Sequence, residues 1–516
     1  MSTPVDSAAS PAPETTVPPA GGSVTGAAPV APVSTAPWWE RWGDRLNPLV
    51  VKEVRQGLRT RIFWACFGLM LLACVVLSLI AYVETREAAY ARHGKGFFFA
   101  FFACLGVVHF FIIPYNAYRS LAREREDETW VLLVLTGLGP RRILRGKVTS
   151  FLVQASLYAS AVGPFLLFSY FLNGIALPNI LVVLVLGGMW LVFLTVVGVC
   201  AATLADGRLG RAFVHFALLG VLGMALVQGL VAAYATVETG NRMLRDDDFL
   251  YGVAVALLLM LTDGWLLFEA AASRLALPTE DYTRGPRRAL LAQVLLAALC
   301  GVAIWWGEGR DHTVPEIFGI MGALHLIGVG LFVATDMDGQ ARPLRAATRP
   351  WSLLRPGAVR GFRLVVFLLL AWAVMWLGLE VLSADKPTRG DAMRMATVAM
   401  PTYGVLFLSL AVLLGRMSRS DRLASPAAVR LLFIASVGLA SALPPLVAVL
   451  MDLEADDGLV NLFNPVVGVV NFGTHDYMDG TKMAWPLLGF LVGVSLLAAF
   501  AADRVLVERE KRVHAS

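Results

Sequence analysis

The chain has 516 residues, of which 57% are hydrophobic and only 16% are charged. Soluble proteins carry roughly 25% charged residues, so this composition excludes a soluble globular protein. The formal net charge of +5 does not indicate nucleic-acid binding, because membrane proteins concentrate Lys and Arg on one side of the bilayer. The composition predicts an all-α polytopic membrane protein.

The N-terminal region divides into a tail and an amphipathic segment. Residues 1–37 are rich in Pro, Ala, Ser, Thr and Gly, with no basic segment followed by an apolar one, which predicts a disordered tail and no signal peptide. Residues 38–61 begin with three tryptophans. From Pro48 onwards, apolar and basic residues alternate with a helical period. This pattern predicts an amphipathic helix that rests on an anionic membrane surface.

Twelve apolar segments follow, each close to the roughly 20 residues that a helix needs to cross a bilayer. We place them at residues 62–83, 97–118, 148–171, 179–204, 212–237, 250–272, 289–306, 316–335, 362–383, 394–415, 430–451 and 485–505. They form two six-helix halves, residues 62–272 and residues 273–505, followed by a tail at residues 506–516.

The distribution of Lys and Arg predicts the orientation. When the connecting segments are assigned alternately to the two sides, one side holds about three quarters of the 43 Lys and Arg residues. The bias predicts that both termini lie in the cytoplasm. We expect the chain to lie in the cell inner membrane. The outer segment 452–484 contains an apolar run broken by Asn464-Pro465, which predicts a re-entrant or interfacial hairpin and not a span.

The sequence carries no motif typical of a soluble catalytic domain: it lacks a Walker A loop, HExxH, GxSxG and a Cys/His cluster. The five cysteines lie in apolar segments without CxxC spacing, so we expect packing residues and no metal ligands. These features predict a protein that is not an enzyme and that holds no cofactor.

Several ionisable residues nevertheless lie inside the predicted spans. The candidates are His109, His215, Asp263, Glu269, His325 and Glu380. Such residues either form a proton or ion relay or bond singly across a helix interface, and the spacing leaves both interpretations open. Asp263 and Glu269 are six residues apart on one helix, which puts them on different faces.

The segment at residues 119–147 carries the densest mixed charge in the chain. Six consecutive charged residues, Arg123 to Glu128, precede Trp130 and a short apolar run at residues 131–135. This run is too short to cross a bilayer. The pattern therefore predicts a short helix along the membrane face, on which a soluble partner can act.

These residues resemble a known family. The charged run from Arg123 to Thr129, the apolar run and the segment Pro140 to Lys147 resemble the loop between the second and third spans of ABC-2-type transporter permeases. The segment Asn47 to Arg55 is similar to the same family's N-terminal amphipathic helix. The match covers residues 46–150. The family's usual permease has about half as many spans, so this chain is either two fused units or one unit with inserted spans.

The resemblance implies an exporter subunit, driven by a separate ATP-binding-cassette (ABC) ATPase and working as a homo- or heterodimer of permeases. Glu124, Glu126 and Asp127 would pair with basic residues of the ATPase, and Arg125 and Thr129 would belong to the same coupling surface. It further implies that basic residues of the loop anchor at membrane lipid phosphates. These residues are Arg141, Arg142, Arg145 and Lys147.

Two other functions are compatible with the sequence. An ion-coupled secondary transporter would use Asp263 and the histidines in the spans. An integral membrane enzyme acting on a lipid-linked substrate would use the acidic outer segment with His475 and Asp476.

Overall fold

The computed structural model describes residues 48–87, 94–127, 138–172, 174–205, 207–240, 245–277, 280–336, 352–383, 392–417, 423–454, 458–474 and 481–515. These residues fold into fourteen helices. The helices are α1 (Pro48–Leu58), α2 (Arg61–Glu87), α3 (Gly94–Glu126), α4 (Pro140–Phe171), α5 (Leu177–Ala201), α6 (Arg208–Thr239), α7 (Asp247–Leu275), α8 (Arg284–Gly307), α9 (Thr313–Ala334), α10 (Ala358–Val381), α11 (Ala392–Arg416), α12 (Pro426–Leu450), α13 (Val467–Thr474) and α14 (Thr481–Ala515).

Twelve of these helices are long and apolar enough to cross a membrane, which confirms the prediction of an all-α polytopic membrane protein with twelve spans. Each predicted span falls on one of the helices. Where the bounds of a helix differ from those of the predicted span, the helix mostly extends past the apolar residues into the charged ones. The helix α14, for example, continues to Ala515 through the residues predicted as a tail.

The segment 119–147 differs most from its prediction. Residues 119–126 continue α3, and residues 140–147 form the first turns of α4, so these charges extend two spans and do not lie on a separate surface helix. Pro140 begins α4 after Gly139, as expected for proline in a first helical turn. The apolar run at residues 131–135, with Trp130, lies outside the described residues.

The polar contacts agree with the predicted alternation of helix ends. We call the ends that border the Lys/Arg-rich segments the basic ends, and the others the opposite ends. Pairs at the basic ends are Arg141–Glu269, Arg287–Asp336, Arg360–Glu510 and Arg363–Asp503. Pairs at the opposite ends are Lys95–Glu238, Trp305–Ser383 and Arg394–Glu380.

The apolar core has two large parts that share α7. One contains buried residues from Phe63 to Leu275, and the other contains residues from Leu266 to Leu506. The helix α7 packs against α4 and α5 and also against α8. The two predicted halves thus meet along this helix.

Glycines allow two pairs of helices to approach closely. A Cβ added to Gly198 on α5 would overlap the backbone oxygen of Pro114 on α3, and one added to Gly361 on α10 would overlap that of Val333 on α9. Small residues at such crossings let membrane helices pack by close backbone contact.

The segment predicted as a hairpin, residues 452–484, contains α13, which has eight residues and is too short to cross a bilayer. Asn464 stabilises the entry to it: its Oδ1 accepts from the backbone N–H groups of Val466 and Val467, and its Nδ2 donates to the Ser441 carbonyl oxygen. The Tyr403 hydroxyl donates to the Leu462 carbonyl oxygen at 2.7 Å. Buried side chains therefore satisfy the backbone where it is not helical, as a membrane interior requires.

Candidate functional site

Three helices meet at a buried lysine. The Lys147 side chain on α4 is 0% exposed, and its Nζ lies 2.7 Å from Glu124 Oε1 and 3.3 Å from Glu53 Oε1. It also donates to Ser120 Oγ at 2.9 Å. An ammonium group has three donors, so every donor has an acceptor. We call Lys147, Glu53, Ser120 and Glu124 the lysine junction.

The sequence places the junction residues by helical spacing. Ser120 and Glu124 are four residues apart and share a face of α3. Glu53 is the buried carboxylate of α1, whereas Lys52 and Arg55 beside it are exposed. The helix α1 packs on α4. The junction thus joins the amphipathic helix to the second and third spans.

Arg125 and Glu126 connect the end of α3 to other helices. Arg125 Nη1 donates to the Ala202 carbonyl oxygen at 2.8 Å, just past the end of α5, where a cation complements the helix dipole. Glu126 Oε1 lies 3.7 Å from Arg211 Nε, and both side chains are partly exposed. A contact of that kind contributes little stability.

Arg141 at the start of α4 forms a bidentate pair with Glu269 on α7. Its Nε donates to Glu269 Oε1 at 3.1 Å, and its Nη2 donates to Glu269 Oε2 at 2.7 Å. The Glu269 side chain is 11% exposed and that of Arg141 is 55% exposed. This pair fastens the third span to the helix that both halves share.

These positions show where the residues of the expected coupling surface lie. Glu124 and Arg125 contact other helices of the chain. Lys147 is buried against carboxylates, and Arg141 pairs with Glu269 while its side chain stays 55% exposed. Their helices continue past the spans, which brings the charges against neighbouring helices. The charged residues that stay exposed at the ends of α3 and α4 are Arg123, Glu126, Asp127, Arg141, Arg142 and Arg145. Thr129 lies outside the described residues.

His109 and His215 are not brought together. His109 lies in a π-helical segment of α3, Val107–Ile112, and its Nε2 is 3.1 Å from the Ala155 carbonyl oxygen on α4. The segment precedes Pro114, which cannot donate a backbone hydrogen bond. His215 packs edge-on against the ring of Tyr115 at a centroid distance of 5.6 Å. His109 thus contacts α4, and His215 on α6 contacts α3.

Asp263 and His325 are brought together, with Gln293 between them. Asp263 Oδ1 lies 3.3 Å from His325 Nε2 and accepts a 2.6 Å hydrogen bond from Gln293 Nε2. The three residues belong to α7, α9 and α8. Asp263 faces the second half, whereas Glu269 on the same helix faces α4, as their spacing predicts. Sequence reasoning missed Gln293, although a glutamine inside an apolar span is itself a signal of interhelical bonding.

The second half has a buried arginine that sequence reasoning also missed. The Arg287 side chain is 2% exposed; its Nη1 donates to the Leu353 carbonyl oxygen, and its Nη2 donates to Asp336 Oδ2 at 3.0 Å. Nη2 also donates to the Gly357 carbonyl oxygen at 3.1 Å. Arg287 thereby ties the starts of α8 and α10 to the end of α9. The Arg- and Pro-rich composition near residue 350 was the available signal.

Comparison with family models, with curated proteins and with solved structures gave no match. Among the described residues, no group of three or more His, Cys, Asp or Glu side chains is placed to hold a metal ion. The twelve apolar helices, with ionisable groups paired between them, give a multi-pass membrane protein of transporter-like architecture.

Proposed function

We propose that this chain is the permease subunit of an ABC-2-type exporter, moved by a separate ABC ATPase. The lysine junction is the observation that supports this most. It links α1, α3 and α4 at the base of the connection between the second and third spans. A push on that connection would therefore move three helices as one unit, which is how a packed interface transmits a displacement.

The exposed charges beside the junction suit a soluble partner. Glu126 and Asp127 lie at the end of α3, and Arg142 and Arg145 lie in the first turns of α4. Both signs of charge thus surround one connection, and complementary charge on a partner favours its orientation and its rate of association. In this proposal the chain lies in the cell inner membrane and its basic ends face the cytoplasm. Exposed basic residues of α1, such as Lys52 and Arg55, then contact lipid phosphate.

The pair Asp263–His325 supports a second candidate, an ion-coupled secondary transporter. A carboxylate and an imidazole within hydrogen-bonding distance inside a membrane are the groups that proton-coupled carriers use. Transport that follows a proton gradient and does not depend on ATP would favour this candidate over the first.

We expect the double variant Glu126→Lys/Asp127→Lys to lose most of its association with the ATPase. The test co-expresses the tagged chain with the ABC protein encoded by a neighbouring reading frame and measures the co-purified ATPase. Two reversed charges in an interface commonly weaken binding by several kcal/mol, so recovery is expected to fall by about tenfold or more. Membrane insertion should be unchanged, because both side chains are exposed.

The matched control is Glu508→Lys on α14, which reverses an exposed carboxylate at another basic end. It should co-purify the ATPase as the wild type does. Equal recovery from the double variant, the control and the wild type would contradict the proposed docking surface.

A further inference from the structure

The helices α7, α8, α9 and α10 enclose a cavity of about 510 Å³. This volume lies within the 300–1,000 Å³ typical of small-molecule sites. Asp248, Glu308 and Asp311 line the cavity at the opposite ends of the helices, and we call this part its mouth. Gln293 and His325 line it further along the helices, and we call that part its floor. The fifteen helical steps from Gln293 on α8 to Glu308, just past its end, span about 22 Å. The cavity is therefore deep, with polar groups at both ends.

The lining groups favour a cation. Among the described residues that line the cavity there is no Lys or Arg, whereas three carboxylates lie at the mouth. A cleft with one sign of charge and apolar walls concentrates ions of the opposite sign. Between mouth and floor the walls are apolar and aromatic, and include Leu258, Phe318 and Trp372. An indole face also attracts a cation.

Trp372 is held in place by its own hydrogen bonds. Its Nε1 donates to the carbonyl oxygens of Phe318 and Gly319 at 3.1 Å and 3.3 Å. The indole N–H is thus already satisfied, and the ring is left as a fixed wall of the cavity.

Gln293 lines the cavity and carries a buried acceptor that no donor in the described part of the chain fills. Its side chain is 3% exposed, and its Oε1 has no hydrogen-bond partner among the described residues. The amide orientation is fixed by the 2.6 Å contact with Asp263 Oδ1, because a carboxylate oxygen would repel the amide oxygen at that distance. A buried acceptor without a donor is costly, so a ligand N–H would stabilise it.

We propose that this cavity binds an amphipathic organic cation, whose ammonium group donates to Gln293 Oε1 and whose apolar body lies against Leu258, Phe318 and Trp372. The carboxylates at the mouth attract the cation, and the floor holds it. This inference goes beyond the proposed function and does not rest on an ATPase, because binding is a property of this chain alone.

The test measures equilibrium binding of phenylbutylammonium and of phenylbutanol to the purified full-length chain in nanodiscs of phosphatidylcholine. The two probes share a shape and differ in charge and donors. We expect saturable binding of the ammonium, about tenfold or more tighter than binding of the alcohol, since a hydrogen bond to a charged group is worth more than one to a neutral group. Equal affinity of the two probes would overturn the proposal and leave an apolar void.

Two variants locate the site. Gln293→Leu should weaken ammonium binding by about tenfold and bring it close to that of the alcohol. Gly252→Phe should abolish binding of both probes while the Asp263–Gln293–His325 contacts stay intact. Gly252 lines the cavity, and a Cβ there would meet no atom within 4 Å, so the larger side chain has room to fill the space without disturbing the helix. Wild-type binding by Gly252→Phe would contradict the assignment.

The control is Glu508→Gln, which removes an exposed carboxylate from α14, far along the chain from the cavity. Its binding of both probes should match the wild type. A loss of ammonium binding in this variant as large as that in Gln293→Leu would mean that surface charge, and not the cavity, attracts the cation.

Discussion

Replacing Lys147 with methionine is expected to lower the free energy of unfolding by about 3–5 kcal/mol, because it leaves two carboxylates without their shared cation. Glu53 is 9% exposed and Glu124 is 23% exposed, so water cannot fully compensate the first of them. The change should also loosen α1 from α4. The measurement is unfolding of the purified chain in mixed micelles as the fraction of denaturing detergent rises.

Two companion variants make this result interpretable. Combining Lys147→Met with Glu53→Gln and Glu124→Gln removes the two carboxylate charges that Lys147 neutralises. The triple variant should therefore recover most of the lost stability. Lys52→Met, which removes an exposed lysine from α1, should change stability by no more than about 0.5 kcal/mol. If Lys147→Met were as mild as Lys52→Met, the lysine junction would not hold the three helices together.

Replacing Arg287 with methionine is expected to have an effect of similar size, about 3–5 kcal/mol. The guanidinium satisfies the Asp336 carboxylate and the carbonyl oxygens of Leu353 and Gly357, and all of these acceptors lose a charged donor. Burial and the neighbouring Asp336 carboxylate raise the pKa of the Tyr282 hydroxyl, so this phenol stays neutral beside Asp336. Limited proteolysis near residue 352 and detergent unfolding measure the outcome.

The neighbouring Arg288 provides a matched control, because it is exposed on the same turn of α8. Arg288→Met should leave both unfolding and proteolysis near those of the wild type. Arg287→Lys should fall between the two, since lysine keeps the charge but not the planar fork of donors. If Arg287→Met and Arg288→Met had the same stability, Arg287 would not hold the starts of α8 and α10 to the end of α9.

The twelve spans were predictable because apolar length alone decides whether a helix crosses a bilayer. The sides of the helix ends followed from the Lys and Arg distribution, and the observed pairs at each side agree with it. The helix ends were not predictable in the same way. Arg119 to Glu126 and Arg141 to Lys147 look like surface residues in the sequence, and only partners from distant segments, such as Glu53 and Glu269, let them continue the spans.

In the candidate site, too, some features could be predicted from the sequence and others could not. The six-residue spacing of Asp263 and Glu269 was enough to predict that they face different neighbours, since it depends only on helix geometry. Their partners were not predictable, because Gln293, His325 and Arg141 lie on other helices and no local pattern encodes which helices pack together. For the same reason the ion pair of Glu124 with Lys147 was not predicted, whereas a contact of Glu124 with a partner protein stays a prediction.

The proposed permease function requires that a separate ATP-hydrolysing protein acts on the connection between α3 and α4. Its most direct test places a photoreactive phenylalanine analogue at position 142, an exposed site at the basic ends, or at position 306, where Trp306 is 71% exposed at the opposite ends. After irradiation of cells, crosslinked proteins are identified by mass spectrometry. We expect an ABC ATPase to be crosslinked from position 142 and none from position 306. Crosslinks from position 142 to lipid alone, or an equal ATPase yield from both positions, would contradict it.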